Sequence, residues 1–179
     1  MTANDPFARL PEAASFTVTS STVDDGAEFA QAQYSAAFGV PGGLDVSPQL
    51  SWSGAPEGTK GFAVTMFDPD APTQSGFWHW AVANIPADVT SLPEGAGDSE
   101  GSGLPEGAYQ LPNDARAANF IGAAPPAGHG PHRYFIVVHA LDTDDIGVPA
   151  DATPAYLGFT IASHILGRAV LVATGEITA

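Results

Sequence analysis

The chain has 179 residues, enough for one domain with a substantial core, and its 44% hydrophobic and 14% charged residues exclude a disordered polymer. Twenty acidic residues face five basic ones (Arg9, Lys60, Arg116, Arg133 and Arg168), and the formal net charge of -15 excludes a broad basic surface for nucleic acid or anionic membrane. Cysteine is absent, which excludes disulfides, thiolate chemistry and Cys-ligated zinc.

With 20 glycines and 16 prolines the chain is rich in turns, as a β-dominated architecture requires. No early segment joins a basic start to an apolar run, and no stretch approaches ~18 apolar residues, so a cytoplasmic protein without stable membrane insertion is expected. The acidity is expected to serve solubility. A single lysine among so many acids would also suit a high-salt cytoplasm, although GC-rich coding depletes lysine in the same way.

In chain order, residues 1–14 read as a loose arm, and Ser15 to Ser20 alternate as a half-buried strand before the turn Asp24-Asp25-Gly26. Phe38 to Ser47, with Pro41-Gly42-Gly43, is loop-like, and Leu50-Ser51-Trp52 begins a short strand. Gly61 to Phe67 reads as a buried strand delivering Asp68 at its end; Trp78 to Ile85 is another, closed by Pro86. Residues 93–114 lack any apolar period and are expected to form a mobile surface loop. A Gly- and Pro-rich loop from Gly122 to Pro131 leads into the clearest strand, His132 to Leu141. Thr153-Pro154 has the signature of an N-cap with proline in the first helical position. The helix is expected to reach about Leu166, burying Leu157, Ile161, Ile165 and Leu166, with a final strand over Ala169 to Ile177. No linker or internal repeat divides the chain, so residues 1–179 are expected to form a single domain.

Two clusters carry chemistry. Asp68-Pro69-Asp70-Ala71-Pro72 places two carboxylates on a proline-stiffened turn, and two residues apart on an extended segment they would point the same way. Phe77-Trp78-His79-Trp80 follows, with a histidine between tryptophans. In the second cluster, Gly128-His129-Gly130-Pro131-His132-Arg133-Tyr134, strand alternation puts His132 and Tyr134 on one face and frees Arg133 for a structural ion pair. The loop before them is a candidate anion nest of backbone N–H groups.

Together these blocks resemble the phosphatidylethanolamine-binding protein family, in particular its bacterial, Raf kinase inhibitor-like branch. The resemblance rests on Ser47-Pro48-Gln49-Leu50-Ser51-Trp52, Asp-Pro-Asp-Ala-Pro, Gly76-Phe77-Trp78-His79-Trp80 with Asn84 five residues after His79, and Pro125-Pro126-Ala127-Gly128-His129-Gly130-Pro131-His132-Arg133-Tyr134. It implies an antiparallel β-sandwich with a few short helices, one near the C-terminus, and a small anion-binding cavity at one end. Family pocket residues carry over to Asp68, Asp70, His79, His132 and Tyr134, with Pro125 and the Gly122 backbone at the rim; Trp78 and Trp80 are expected as core and wall. The implied ligands are small oxyanions and phosphorylated head groups, without a cofactor. The resemblance also implies a kinase or other signalling protein as partner and, in the bacterial branch, a homodimer. Gly122-Ala123-Ala124-Pro125-Pro126 departs from the family's usual Gly-Pro opening, and Phe38 to Gly43 looks like an inserted turn.

A phosphate wants donors, which histidine, tyrosine and backbone N–H groups supply. The aspartates are expected to orient a histidine, bind an ammonium group or share a proton, with one of two close carboxyls pushed upward. The rival function is a hydrolase acting on a small phosphorylated or acyl substrate through Asp70 with His79 or His132, but no activated nucleophile stands out. Gly97-Asp98-Ser99-Glu100-Gly101 matches a nucleophile-elbow pattern outside the strand-turn-helix context that motif needs. A metal site at His79, His132 and the aspartates is not expected, because the three-residue spacing of His129 and His132 at a strand entrance has no metal geometry. His139 and His164 are expected to be strand-packed and helix-face histidines.

Overall fold

The computed structural model describes residues 4–179, with strands Ala14–Ser15 (β1), Thr17–Thr19 (β2), Leu50–Ser53 (β3), Gly61–Asp68 (β4), Phe77–Pro86 (β5), Ser91–Leu92 (β6), Tyr109–Gln110 (β7), His132–Leu141 (β8) and Ile165–Gly175 (β9). One α-helix, Pro154–Ile161 (α1), precedes β9, and Gln31–Gln33 forms a single 3-10 turn. The architecture is mainly β. A six-stranded sheet in the order β1-β9-β8-β4-β5-β7 packs on a three-stranded sheet, β2-β3-β6, and every pairing is antiparallel except β1 with β9. None of the described helices is long and apolar enough to cross a membrane.

The apolar runs place β4, β5 and β8 in the middle of the large sheet, where both faces are covered. One face contributes Val64, Met66, Trp80, Ile136 and Leu171 to the core shared with Leu50, Trp52 and Leu92 of the small sheet. The other contributes Ala63, Ala81 and Leu141 to a smaller core under Leu157 and Ile161 of α1. Ser15–Ser20 is split rather than continuous: β1 pairs in the large sheet and β2 in the small one, on either side of buried Phe16.

Thr153 caps α1 as expected, its Oγ1 accepting from the Tyr156 N–H at 3.2 Å, with Pro154 in the first turn. The helix stops at Ile161 instead of about Leu166. Ile165 and Leu166 fit a helical stripe equally well, but the strand that they open gains ten residues of register along β8, from His132↔Gly175 to Leu141↔Ile165. Long-range pairing overrides the local period. His164 consequently lies in the turn before β9, not on a helix face, with its Nδ1 2.7 Å from Asp142 Oδ1.

The segment 93–114 holds only the two-residue β7, yet Ala96 and Leu111 are buried and the Gln110 side chain accepts from Trp80 Nε1 at 2.7 Å. Within it, Gly97-Asp98-Ser99-Glu100-Gly101 is a succession of turns, Asp98 accepting from the N–H groups of Glu100 and Ser102. The nucleophile-elbow context is absent.

Candidate functional site

Antiparallel order brings three chemical residues to one end of the large sheet. Asp68 is the last residue of β4, His132 the first of β8, and His79 lies near the start of β5. His79 owes its orientation to a break in register: Met66 pairs with Trp80 and Phe67 with Trp78, so His79 is the extra residue of a β-bulge. Bulges re-aim side chains in this way beside functional sites. Here Trp78 turns out over Phe67 (ring centroids 4.4 Å), while Trp80 turns into the core against Phe120.

Asp68 and His132 form a sealed pair, Nδ1 to Oδ2 at 2.7 Å, with 3% and 2% of their surfaces exposed. The second oxygen of Asp68 accepts from the N–H groups of Asp70 (2.7 Å) and Ala71 (3.0 Å), which closes a tight turn around the carboxylate. On its other side, His132 Nε2 lies 2.7 Å from His129 Nδ1, linking carboxylate and two imidazoles in a chain that reaches the surface.

His79 is buried, and its Nδ1–H donates to the Ile121 carbonyl at 2.8 Å. Its ring packs between Phe77 (4.8 Å) and Tyr134 (5.2 Å, edge-on). Burial pushes its pKa below the ordinary histidine value, opposed by the Ile121 carbonyl and the charge of Asp68.

These residues line a cavity of about 430 Å³. Asp68, His79 and His132 form its polar part; Pro72, Phe77, Pro125 and Ile177 are among its apolar walls. Phe38 to Pro41 supply another wall, Phe38 packing edge-on against Phe77 at 6.0 Å. The apparent insertion in the sequence is therefore part of the site. It is held by Asp45, in a left-handed conformation (φ 53°), whose two carboxylate oxygens accept from the Ala37 and Gly122 N–H groups at 2.9 and 2.8 Å. No sequence motif flags Asp45; its role arises from contacts 77 residues apart.

Asp70, Tyr134 and Gly122 stand elsewhere than the sequence suggests. The turn around Asp68 breaks the extended geometry that would have aligned the two carboxylates, and Asp70 faces Arg133 instead. Arg133 grips it through Nε (2.8 Å), Nη2 (2.7 Å) and the backbone N–H (3.0 Å). That pairing holds the Asp70 carboxyl below the usual carboxylate range, the reverse of an upward push between two acids. Tyr134 shares the His132 face but is wholly buried behind His79, against Phe29. Its hydroxyl has no hydrogen-bond partner among the described residues, and burial pushes its pKa upward.

Gly122 lies behind the wall, where an added Cβ would come within 2.4 Å of the Tyr34 backbone. Its N–H is spent on Asp45, and those of Ala123, Gly128 and His129 on the carbonyls of Gln33, Ile177 and Pro126. The expected nest of free N–H donors is thus partly consumed. Asn84, also left-handed (φ 55°), uses its side chain to hold Asp145 and the Ile146 N–H, away from the cavity.

Known proteins resemble this chain in sequence and fold. The family model for phosphatidylethanolamine-binding proteins matches residues 19–176. The UPF0098 protein YbcL of Escherichia coli is 48% identical over 167 residues, 93% of this chain and 87% of that protein. YbhB of the same organism is 47% identical over 134 residues, covering 73% and 82%. The crystal structure of E. coli YbcL superposes with a TM-score of 0.88 at 46% identity, covering 92% of this chain and 99% of the other. A phosphatidylethanolamine-binding protein homologue from Chlamydia trachomatis, CT736, superposes with a TM-score of 0.74 at 27% identity over the same shares. The chain belongs to the phosphatidylethanolamine-binding protein family, in the bacterial branch of YbcL and YbhB.

Proposed function

We propose that the cavity binds a small oxyanion, best a phosphomonoester or the phosphate of a lipid head group. The observation that carries this reading is the state of His79. Its Nδ1–H is committed to the Ile121 carbonyl, so neutral His79 presents the cavity with a bare Nε2 lone pair. Adding one proton turns that nitrogen into a charge-assisted donor at the site's polar end. Burial keeps the empty site neutral, and a bound anion would reverse that preference. Alternatively the ligand brings the proton, because a phosphomonoester has its second pKa at ~6 and its P–OH can donate to Nε2. Either route puts one extra proton in the complex.

Asp68 then has a positioning role: it fixes the His132 ring from behind. At about 430 Å³ the cavity lies toward the small end of the ~300–1,000 Å³ range of ligand pockets, which suits a head group with its acyl chains left outside. The hydrolase reading is weakened because Asp70 is engaged by Arg133. A kinase or other signalling partner, a homodimer and a cytoplasmic setting rest on the resemblance and composition.

Calorimetry with O-phosphoethanolamine across pH 5–8, in buffers of different ionisation heat, tests the proposal. One site should appear, tightening as pH falls from 8 toward ~6 with uptake of one proton, and levelling below ~6, where the free phosphomonoester already carries that proton. Affinity that ignores pH, or that His79→Gln leaves unchanged, would overturn it. Native mass spectrometry for co-purifying phospholipid would separate head groups from free phosphoesters as the source.

A further inference from the structure

The opposite face of the large sheet carries a second cavity, of about 290 Å³, that shares no lining residue with the first. Its floor is the outward side of β4, β5, β8 and β9; α1 closes one flank and the arm before β1 crosses over the top. Phe7 and Leu10 of the arm, Phe67, Trp78 and Phe135 of the sheet, and Ile161 of α1 make it predominantly apolar. The arm, expected to be loose, is tied at three places: the Asn4 carbonyl accepts from Arg133, Phe7 packs edge-on against Phe135, and the Pro11 carbonyl accepts from Arg168 Nη1 at 2.9 Å.

Three polar side chains, Thr65, His139 and Arg168, interrupt these apolar walls. His139 and Arg168 face each other across the β8–β9 register and both line the cavity. His139 is 9% exposed; its Nε2 lies 3.0 Å from Thr65 Oγ1, while its Nδ1 is buried without a partner among the described residues. Arg168 Nε is likewise buried and unpartnered, and the guanidinium forms no ion pair among the described residues. In a chain with 20 acidic residues and five basic ones, a partly buried arginine without a carboxylate is anomalous. Burying polar atoms unpaired is costly, and natural structures rarely leave two side by side.

We propose that this cavity is a second ligand site, for a small amphipathic monocarboxylate whose carboxylate pairs with the Arg168 guanidinium, beside His139, while its apolar body lies among the aromatic walls. The volume of about 290 Å³ equals roughly ten waters at ~30 Å³ each, which suits a body of about ten non-hydrogen atoms. One guanidinium matches a single negative charge; a phosphate dianion would be left undercompensated.

Sodium octanoate is the probe, followed by calorimetry on the full chain with and without saturating inorganic phosphate. One octanoate per chain should bind irrespective of phosphate, and octan-1-ol should bind at least about tenfold more weakly because it lacks the charged acceptor. Arg168→Gln should weaken octanoate by at least about tenfold. Gly158→Leu should do the same by filling the cavity, since Gly158 lines it and an added Cβ meets no atom within 4 Å. If Arg168→Gln fails to fold, Gly158→Leu decides alone. No heat and no thermal shift up to about 10 mM octanoate, in the weak-millimolar range, would overturn the site. So would competition by phosphate, equal binding of octanol, or full affinity in Gly158→Leu.

Discussion

His132 Nδ1 sits 2.7 Å from Asp68 Oδ2 in a pair almost closed to solvent, and the same carboxylate also holds the N–H groups of Asp70 and Ala71. Removing it therefore strands three donors at once. Asp68→Ala is expected to destabilise the fold by about 3 kcal/mol, the cost of breaking a buried pair from one side. Asp68→Asn should lose less, because an amide oxygen can still accept from the turn. Urea unfolding measures both, and a loss below about 1 kcal/mol for the alanine variant would mean that the pair contributes little in solution.

His139 makes stability fall with acid before any carboxylate titrates. Burial pushes its pKa down to about 3, helped by nearby Arg168, whereas the unfolded chain titrates it near ~6.5. Between these values the unfolded state binds more protons, so stability is full above ~6.5 and declines as pH falls, by about 1.4 kcal/mol per unit once well below it. His79, also shifted down by burial, adds in the same direction. His139→Gln keeps a partner for Thr65 and should flatten the profile between about pH 6.5 and 4.5, as read by denaturant unfolding at each pH. Identical slopes in both proteins would show that His139 is not buried as a neutral ring.

Arg133 and Asp70 should prove separable from binding. Their side chains remain 27% and 25% exposed, so solvent screens the pair even though two guanidinium nitrogens engage the carboxylate. Arg133→Gln is expected to cost about 1 kcal/mol and let the Asp70 carboxyl rise toward its ordinary value. Phosphoester affinity should stay within about twofold of wild type, since neither residue lines the cavity. A large loss of affinity in the calorimeter would return Asp70 to the site.

The legible parts of the molecule are those with a local cause. The strands from Gly61 and His132, the cap at Thr153 and the meeting of Asp68, His79 and His132 follow from apolar runs, a Thr-Pro pair and recurring motifs. Asp70 misleads because the extended two-residue period fails where the Asp68 carboxylate folds the backbone into a turn. The bulge that aims His79 depends on register against β4, and the Phe38 wall depends on Asp45 reaching Gly122. Neither pairing leaves a mark in the local sequence. The end of α1 is obscured for a similar reason: Ile165 satisfies two periods, and β8 selects one.

The charge of -15 makes ionic strength the remaining test of the whole surface. Among the described residues there are three ion pairs, two of which need a protonated histidine, so most carboxylates repel one another without local compensation. Screening that repulsion stabilises the compact state, but the Debye length has already shrunk to ~8 Å at 0.15 M salt and gains little beyond. Thermal unfolding is expected to shift upward by about 5 °C over the first few tenths molar KCl and then level off. A steep rise continuing to molar KCl would instead mark the acidic surface as an adaptation to a high-salt cytoplasm, since simple screening saturates long before that concentration.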